Sequence, residues 1–384
     1  MDDLAMPNAL PPSMVWFYDM DALRSPAGVT RHAVAMRKEL SKFSAQVRLS
    51  LATGRIQDPD NLATWETWDD LPRIELPCST RTMLRYWWLS SWPPLTAWTG
   101  QADWIYAPAE LAVAKGHAKL AVTSHDIAQD LRWQPPRRKA LLDKLFQVAD
   151  KVFSVSPYNT SELLNAYPHL DGRVALVPNA ADDLFHTPAS EEEKVSVKKQ
   201  LGVPEHKPYL LSVANFQPRK NLEMLIRASA MVPEVASGEM AVVLVGEGAE
   251  DQTRRLNQTI IALKNPKVQI QMAGYLQGSA LRAAYAAAAA LVFPSLCESF
   301  GIPVLEAISQ GCPVALANTT GLPDVAKDSG WYFHPDSAES IASTISNLLA
   351  DTQLREARIA AGLEISRHYR WNNSARMVLD SLLK

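Results

Sequence analysis

Cysteine is scarce in this chain. Only Cys78, Cys297 and Cys312 occur, and no two form a Cys-x-x-Cys pair. An odd, scattered set excludes a disulfide framework and fits a reducing compartment. Metal-ligand spacing is missing as well: the eight histidines are dispersed, with no His-x-x-x-His. No long hydrophobic run is present. The longest, residues 283–293, is far below the ~20 residues that span a bilayer. The first residues, MDDLAMPNALPPSM, are acidic and proline-rich, unlike a signal peptide. The expectation is a soluble protein of the cytoplasm. Charge of one sign is lacking too. A formal net charge of −3 leaves no basic excess for nucleic acid, and no acidic tail marks a disordered segment.

What is present is an ordinary globular composition, 47% hydrophobic and 21% charged, over 384 residues. That length exceeds what one core usually serves, so two domains are expected. Apolar runs at 15–18 and 47–51 flank helical spacing over 30–42, a β-loop-α-β opening typical of a parallel sheet. Strand-like runs follow at 104–106, 120–122, 152–155 and 174–177. Residues 53–77 show no clear periodicity, and five tryptophans crowd into 87–104. A charged stretch at 187–199 reads as a linker and the first helix of a second domain. The alternation then repeats, with strands at 209–213, 240–245, 268–272, 291–293, 313–316 and 330–333. The predicted fold is α/β, with two parallel sheets facing across a cleft. The expected domains are 1–186 and 187–369, with a terminal helix at 370–384 packing back on the first.

The chemistry concentrates at Glu298-Ser-Phe-Gly-Ile-Pro-Val-Leu-Glu306. A strand ends at Phe293, a loop carries Gly301, and Pro303 suits the first turn of a helix because its missing N–H would be unpaired there anyway. A helix N-terminus offers free N–H groups and a positive dipole to phosphate. Glu298 in the loop, and Glu306 expected in the first helical turn, are acceptors suited to vicinal diols. Diphosphate between two diols describes a nucleotide-sugar. Alone, such a pair of glutamates arises often by chance.

Further segments line up with it. Glu298 to Glu306 resembles the E-x7-E motif of glycosyltransferase family 4, the group 1 glycosyltransferases. Ala214-Asn-Phe-Gln-Pro-Arg219-Lys220-Asn221 is similar to that family's phosphate loop, Gly274-Tyr275 to the strand before the motif helix, and Val177-Pro-Asn179 to its interdomain segment. His125-Asp126 is similar to the family's His-Asp pair, and Ser25-Pro-Ala-Gly28 to its N-terminal glycine loop. The resemblance implies a GT-B fold of two Rossmann-like domains and a retaining transferase that moves a hexose, of mannose or glucose type, from a nucleoside-diphosphate sugar. The implied acceptor is a saccharide or a lipid-linked one, in surface polysaccharide or lipopolysaccharide assembly.

It also implies roles. Lys220 meets the diphosphate and stabilises the leaving group. Glu298 holds sugar hydroxyls. Ser299, Phe300, Gly301 and Ile302 form the donor loop, with backbone N–H groups from Phe300 and Gly301. Glu306 holds the ribose, Gly28 admits the diphosphate, and His125 lies by the donor sugar and the acceptor. Lys220, Glu298 and His125 are the implied catalytic residues. Where the family often has Gly-Arg this chain has Ala214-Asn215, and Arg219 is the candidate replacement.

Competing readings stay open. Asp19-Met-Asp21 is formally a DxD, a metal motif of the other transferase fold, but two aspartates at a strand end arise easily. No metal and no cofactor are expected. The tryptophan-rich segment is core packing, an acceptor-site wall, or, with Arg81 and Arg85, a peripheral membrane contact at the inner face. Alternatives to a transferase are a GT-B-type epimerase or phosphorylase, or a non-catalytic sugar-nucleotide-binding subunit.

Overall fold

The structure, a computed structural model, describes residues 10–24, 28–56 and 71–384. The chain divides into two compact units, the first formed by residues up to Pro178 together with Trp371–Lys384, the second by Asn179–Arg370. The division thus falls at 178/179 and 370/371, where the sequence suggested 186/187 and 369/370. Gln310 accounts for the first difference: its Nε2 donates to Phe185 O and Thr187 O, tying 183–187 into the second unit.

Among the described residues, unit one holds a seven-stranded sheet. Its strands are β1 (Ser13–Phe17), β2 (Arg48–Thr53), β3 (Arg73–Glu75), β4 (Trp104–Ala107), β5 (Lys119–Ser124), β6 (Lys151–Ser154) and β7 (Val174–Leu176). The order is β3-β2-β1-β4-β5-β6-β7. Unit two holds six, β8 (Tyr209–Val213), β9 (Ala241–Val245), β10 (Ile270–Met272), β11 (Ala290–Phe293), β12 (Val314–Ala317) and β13 (Gly330–Phe333), in the order β10-β9-β8-β11-β12-β13. Every pairing is parallel.

Burial explains the sequence pattern. β9 (AVVLV) and β11 (ALVF) are buried at every residue, as strands covered by helices on both faces must be. β3 is a three-residue edge strand with no buried residue, which is why no period marked it. In each sheet the strand order reverses beside the first strand, at β1/β4 and at β8/β11. Such a switch point leaves a crevice outside the carboxyl ends, where open α/β sheets bind ligands. No helix among the described residues is long and apolar enough to cross a membrane.

Candidate active site

The loop after β8 and the loop after β11 flank the switch point of the second sheet. The first passes through a 3-10 turn, Pro218–Lys220, and Asn221 in the left-handed region at φ 57°, before the helix Leu222–Ser229. Asn tolerates that backbone better than most residues. Its Nδ2 also donates to Pro294 O at 3.2 Å and Pro335 O at 2.8 Å, fixing this loop to the ends of β11 and β13. Leu296 N–H donates to Arg219 O at 2.8 Å, which holds the two loops side by side.

Their side chains converge on Glu298. Lys220 Nζ pairs with Glu298 Oε1, Arg219 Nη1 donates to the same oxygen at 3.0 Å, and Ser295 Oγ donates to it at 2.8 Å. Arg219 Nη1 also reaches Cys297 O at 3.0 Å. Burial pushes the Glu298 carboxyl up, but the Lys220 and Arg219 charges outweigh it and hold the group below the usual carboxylate range. All three donors use Oε1; among the described residues none is placed on Oε2. Two cations against one carboxylate leave one positive charge and one free carboxylate oxygen at the switch point.

A third loop supports this arrangement from the carboxyl end of β12. Glu298 N–H donates to Thr320 Oγ1 at 3.0 Å, and Gly321 N–H donates to Glu298 O at 2.8 Å. The approach is close enough that a Cβ on Gly321 would lie 2.2 Å from Ser299 O. Ser299 and Phe300 are buried, and the Phe300 ring meets Tyr369 edge-on at 5.7 Å. Gly301, at φ 90°, turns the chain into the helix Ile302–Ser309. That start corrects one expectation: Glu306 is the fifth helical residue and lies in the second turn. It is fully buried, and Tyr285 donates to its Oε2 at 2.9 Å.

In unit one His125 follows β5 directly and is buried. Its Nε2 lies 2.8 Å from Pro108 O; a carbonyl only accepts, so Nε2 carries the proton and Nδ1 is the remaining ring acceptor. Its backbone N–H donates to Glu110 Oε1 at 2.7 Å, and the His32 ring packs edge-on at 4.6 Å. Gly28 is exposed and opens the helix Gly28–Ser41; the rest of its expected loop, residues 25–27, lies outside the described residues. Burial raises the Asp19 carboxyl, which bonds Thr80. Among the described residues no group of His, Cys, Asp and Glu is placed to hold a metal.

Residues 26–183 match the sequence model of Glycosyltransferase Family 4, and residues 193–364 that of the glycosyl transferases group 1. The chain is a family 4 glycosyltransferase. This glycosyltransferase is 27% identical over 286 residues to O-antigen chain mannosyltransferase B of Escherichia coli, covering 73% of this chain and 74% of the relative. It is also 27% identical over 253 residues to the serotype-specific mannosyltransferase WbdA of Escherichia coli, where it spans 31% of the relative's length. Among solved structures it is similar to Anabaena HepE in complex with UDP and glucose, at TM-score 0.76 and 17% identity, covering 97% of this chain and 99% of that one. The sucrose-phosphate synthase of Thermosynechococcus elongatus superposes at TM-score 0.77 and 19% identity, over 96% and 97% of the two chains. These likenesses give the fold, GT-B.

The glycosyltransferase gathers Arg219, Lys220, Glu298, Ser299, Phe300 and Gly301 in unit two as a group, with Glu306 beneath them in the following helix. His125 and Gly28 belong to unit one. Sequence reasoning gave no role to Ser295, Thr320, Gly321 or Tyr285. Tyr285 stood inside an alanine-rich stretch where any aromatic reads as packing. Thr320-Gly321 did carry a signal: a glycine just past a buried strand that neighbours β11.

Proposed function

We propose that this glycosyltransferase moves a hexose from a nucleoside-diphosphate sugar to a saccharide or lipid-linked acceptor, with retention of configuration, in surface polysaccharide or lipopolysaccharide assembly. The observation that carries the reading is the convergence of Lys220, Arg219 and Glu298 at the β8/β11 switch point. The surplus positive charge suits a diphosphate, and Glu298 Oε2 suits a sugar hydroxyl. As the bond to the anomeric carbon breaks, negative charge grows on the diphosphate oxygens. Lys220 and Arg219, already held in place, stabilise that charge without reorganising. The departing phosphate oxygen takes the acceptor's proton on the same face. His125, through Nδ1, accepts from a donor-sugar hydroxyl, and Glu306 takes the ribose diol. No metal or other cofactor takes part in this reading.

Mannose on guanosine diphosphate is the favoured donor, because O-antigen chain mannosyltransferase B and WbdA are both named mannosyltransferases. Glucose on uridine diphosphate is the second reading, supported by the UDP and glucose bound to HepE. The setting is the cytoplasmic side of a membrane. A thermal-shift panel of GDP, UDP, ADP and their sugars tests this, since a ligand of the folded state raises Tm. GDP and GDP-mannose are expected to stabilise the wild-type protein, and Lys220→Ala to abolish that shift. No shift with any nucleotide would overturn the reading.

A further inference from the structure

The helix Thr80–Leu89 buries Thr80, Met83 and Trp87 against the core of unit one. Its other face is exposed: Arg81, Arg85, Tyr86 (47%), Trp88 (46%) and Leu89 (80%), continued by Trp92 (72%). Exposed apolar residues elsewhere are mostly scattered, as on any protein; a run of large aromatic and aliphatic side chains in so short a segment is not ordinary surface. From Leu76 to Ala102 the sequence holds no aspartate or glutamate, so every formal charge this segment itself carries is positive. Arg81 lies near Asp19, whereas Arg85 joins no ion pair among the described residues.

The face is held in position. Lys144 Nζ donates to Trp87 O and Trp88 O at 2.9 and 2.8 Å, satisfying carbonyls at the helix end. Trp87 Nε1 donates to Pro93 O at 2.9 Å, and Ser90 Oγ bonds the Trp92 backbone on both sides. The Trp92 indole is therefore presented to solvent from a fixed loop. Indoles and phenols with an apolar body and a polar edge, beside arginine and with no acid among them, match the headgroup layer of an anionic bilayer. The geometry points to this face as the surface that docks the protein on an anionic membrane. The helix begins at the carboxyl edge of the unit-one sheet, where Gly54 N–H, just past β2, donates to Thr80 Oγ1 at 3.0 Å. Docking therefore brings that edge to the lipid headgroups, where a lipid-linked acceptor would lie.

Co-sedimentation of the full chain with vesicles tests this, using phosphatidylcholine alone and an equal mixture of phosphatidylcholine and phosphatidylglycerol. Neither donor nor acceptor is present, so the result is independent of the transfer reading. The wild-type protein is expected to pellet with the anionic vesicles and to be released by salt, which screens exposed charge. Trp88→Ser with Trp92→Ser should lower partitioning roughly tenfold or more. Arg85→Gln should lower it about fivefold, the effect of one basic side chain near an anionic surface. Unchanged melting curves check that the variants fold, as their exposed positions lead one to expect. Wild-type protein that stays in the supernatant, or a double tryptophan variant that binds equally well, would overturn the inference. So would a wild-type dimer that the double variant converts to a monomer without any vesicle binding, since the face would then join two copies of the chain.

Discussion

Glu298 is buried between two cations, so its ionisation is linked to folding. Its folded value lies below the ordinary 4.5 because Lys220 and Arg219 outweigh the burial that pushes it up. A carboxyl shifted in that direction contributes stability above the unfolded value and loses it as pH falls through the folded one. Glu298→Gln keeps the shape but leaves both cations without a counter-charge, a change that costs about 3 kcal/mol when a buried pair is broken. The Tm gap between wild type and Glu298→Gln should be wide at neutral pH and close as pH falls below 4.5; a gap constant with pH would refute the linkage. Thr320 is a second residue-scale case. A β-branched residue at φ 58° carries about 1–2 kcal/mol of strain, tolerated here while its hydroxyl satisfies Glu298 N–H. Thr320→Ala leaves that N–H unpaired, at about 1–3 kcal/mol. In steady-state kinetics it should lower kcat about tenfold with a smaller change in donor KM, and Thr320→Ser should restore kcat.

At the scale of elements, the contrast between Gly301 and Gly321 separates strain from collision. A Cβ on Gly301 would meet Leu322 Cδ2 at 2.8 Å, the movable end of a side chain, so Gly301→Ala is dominated by the cost of φ 90°, about 1–2 kcal/mol. A Cβ on Gly321 would meet backbone, Ser299 O at 2.2 Å and Glu298 O at 3.0 Å, and the two loops must part. Gly321→Ala is therefore expected to lower Tm more than Gly301→Ala, and equal losses would contradict this. The same elements show what was legible in the sequence. β8, β9 and β11 were visible because strands buried on both faces are near-continuous apolar runs, broken here only by Ser212 in β8, and Lys220 and Glu298 were visible because they follow such strands. The direction of Arg219 was not, because it depends on where Cys297 O and Glu298 lie in space. Nor was Thr320, whose partner is across a strand and a helix and whose residue type is common in any loop. Glu306 was found, but its depth depends on the residue where the helix starts.

For the whole molecule, the last helix closes unit one. Trp371–Leu382 returns after Arg370 and buries Trp371, Ala375, Val378, Leu379 and Leu382, a single stripe at helical spacing packed on Gly28–Ser41. Polar bonds fix its register: Ser374 Oγ donates to Pro178 O at 2.7 Å, Asn372 Nδ2 to Glu39 Oε2 at 3.2 Å, and Trp104 Nε1 to Leu382 O at 3.1 Å. At roughly 2 kcal/mol for each of the four large side chains, the stripe supplies about 8 kcal/mol of gross burial, comparable with the whole net stability of a domain. A chain ending at Arg370 should lose the cooperative melting of unit one while unit two, whose residues the helix does not belong to, keeps its own transition and its nucleotide-induced shift. Leu379→Ala, removing part of the stripe, should cost about 2–5 kcal/mol in the unit-one transition alone. Calorimetry of the three chains with and without nucleotide separates the outcomes: a truncated chain that melts like the full one would show that unit one is complete without its final helix.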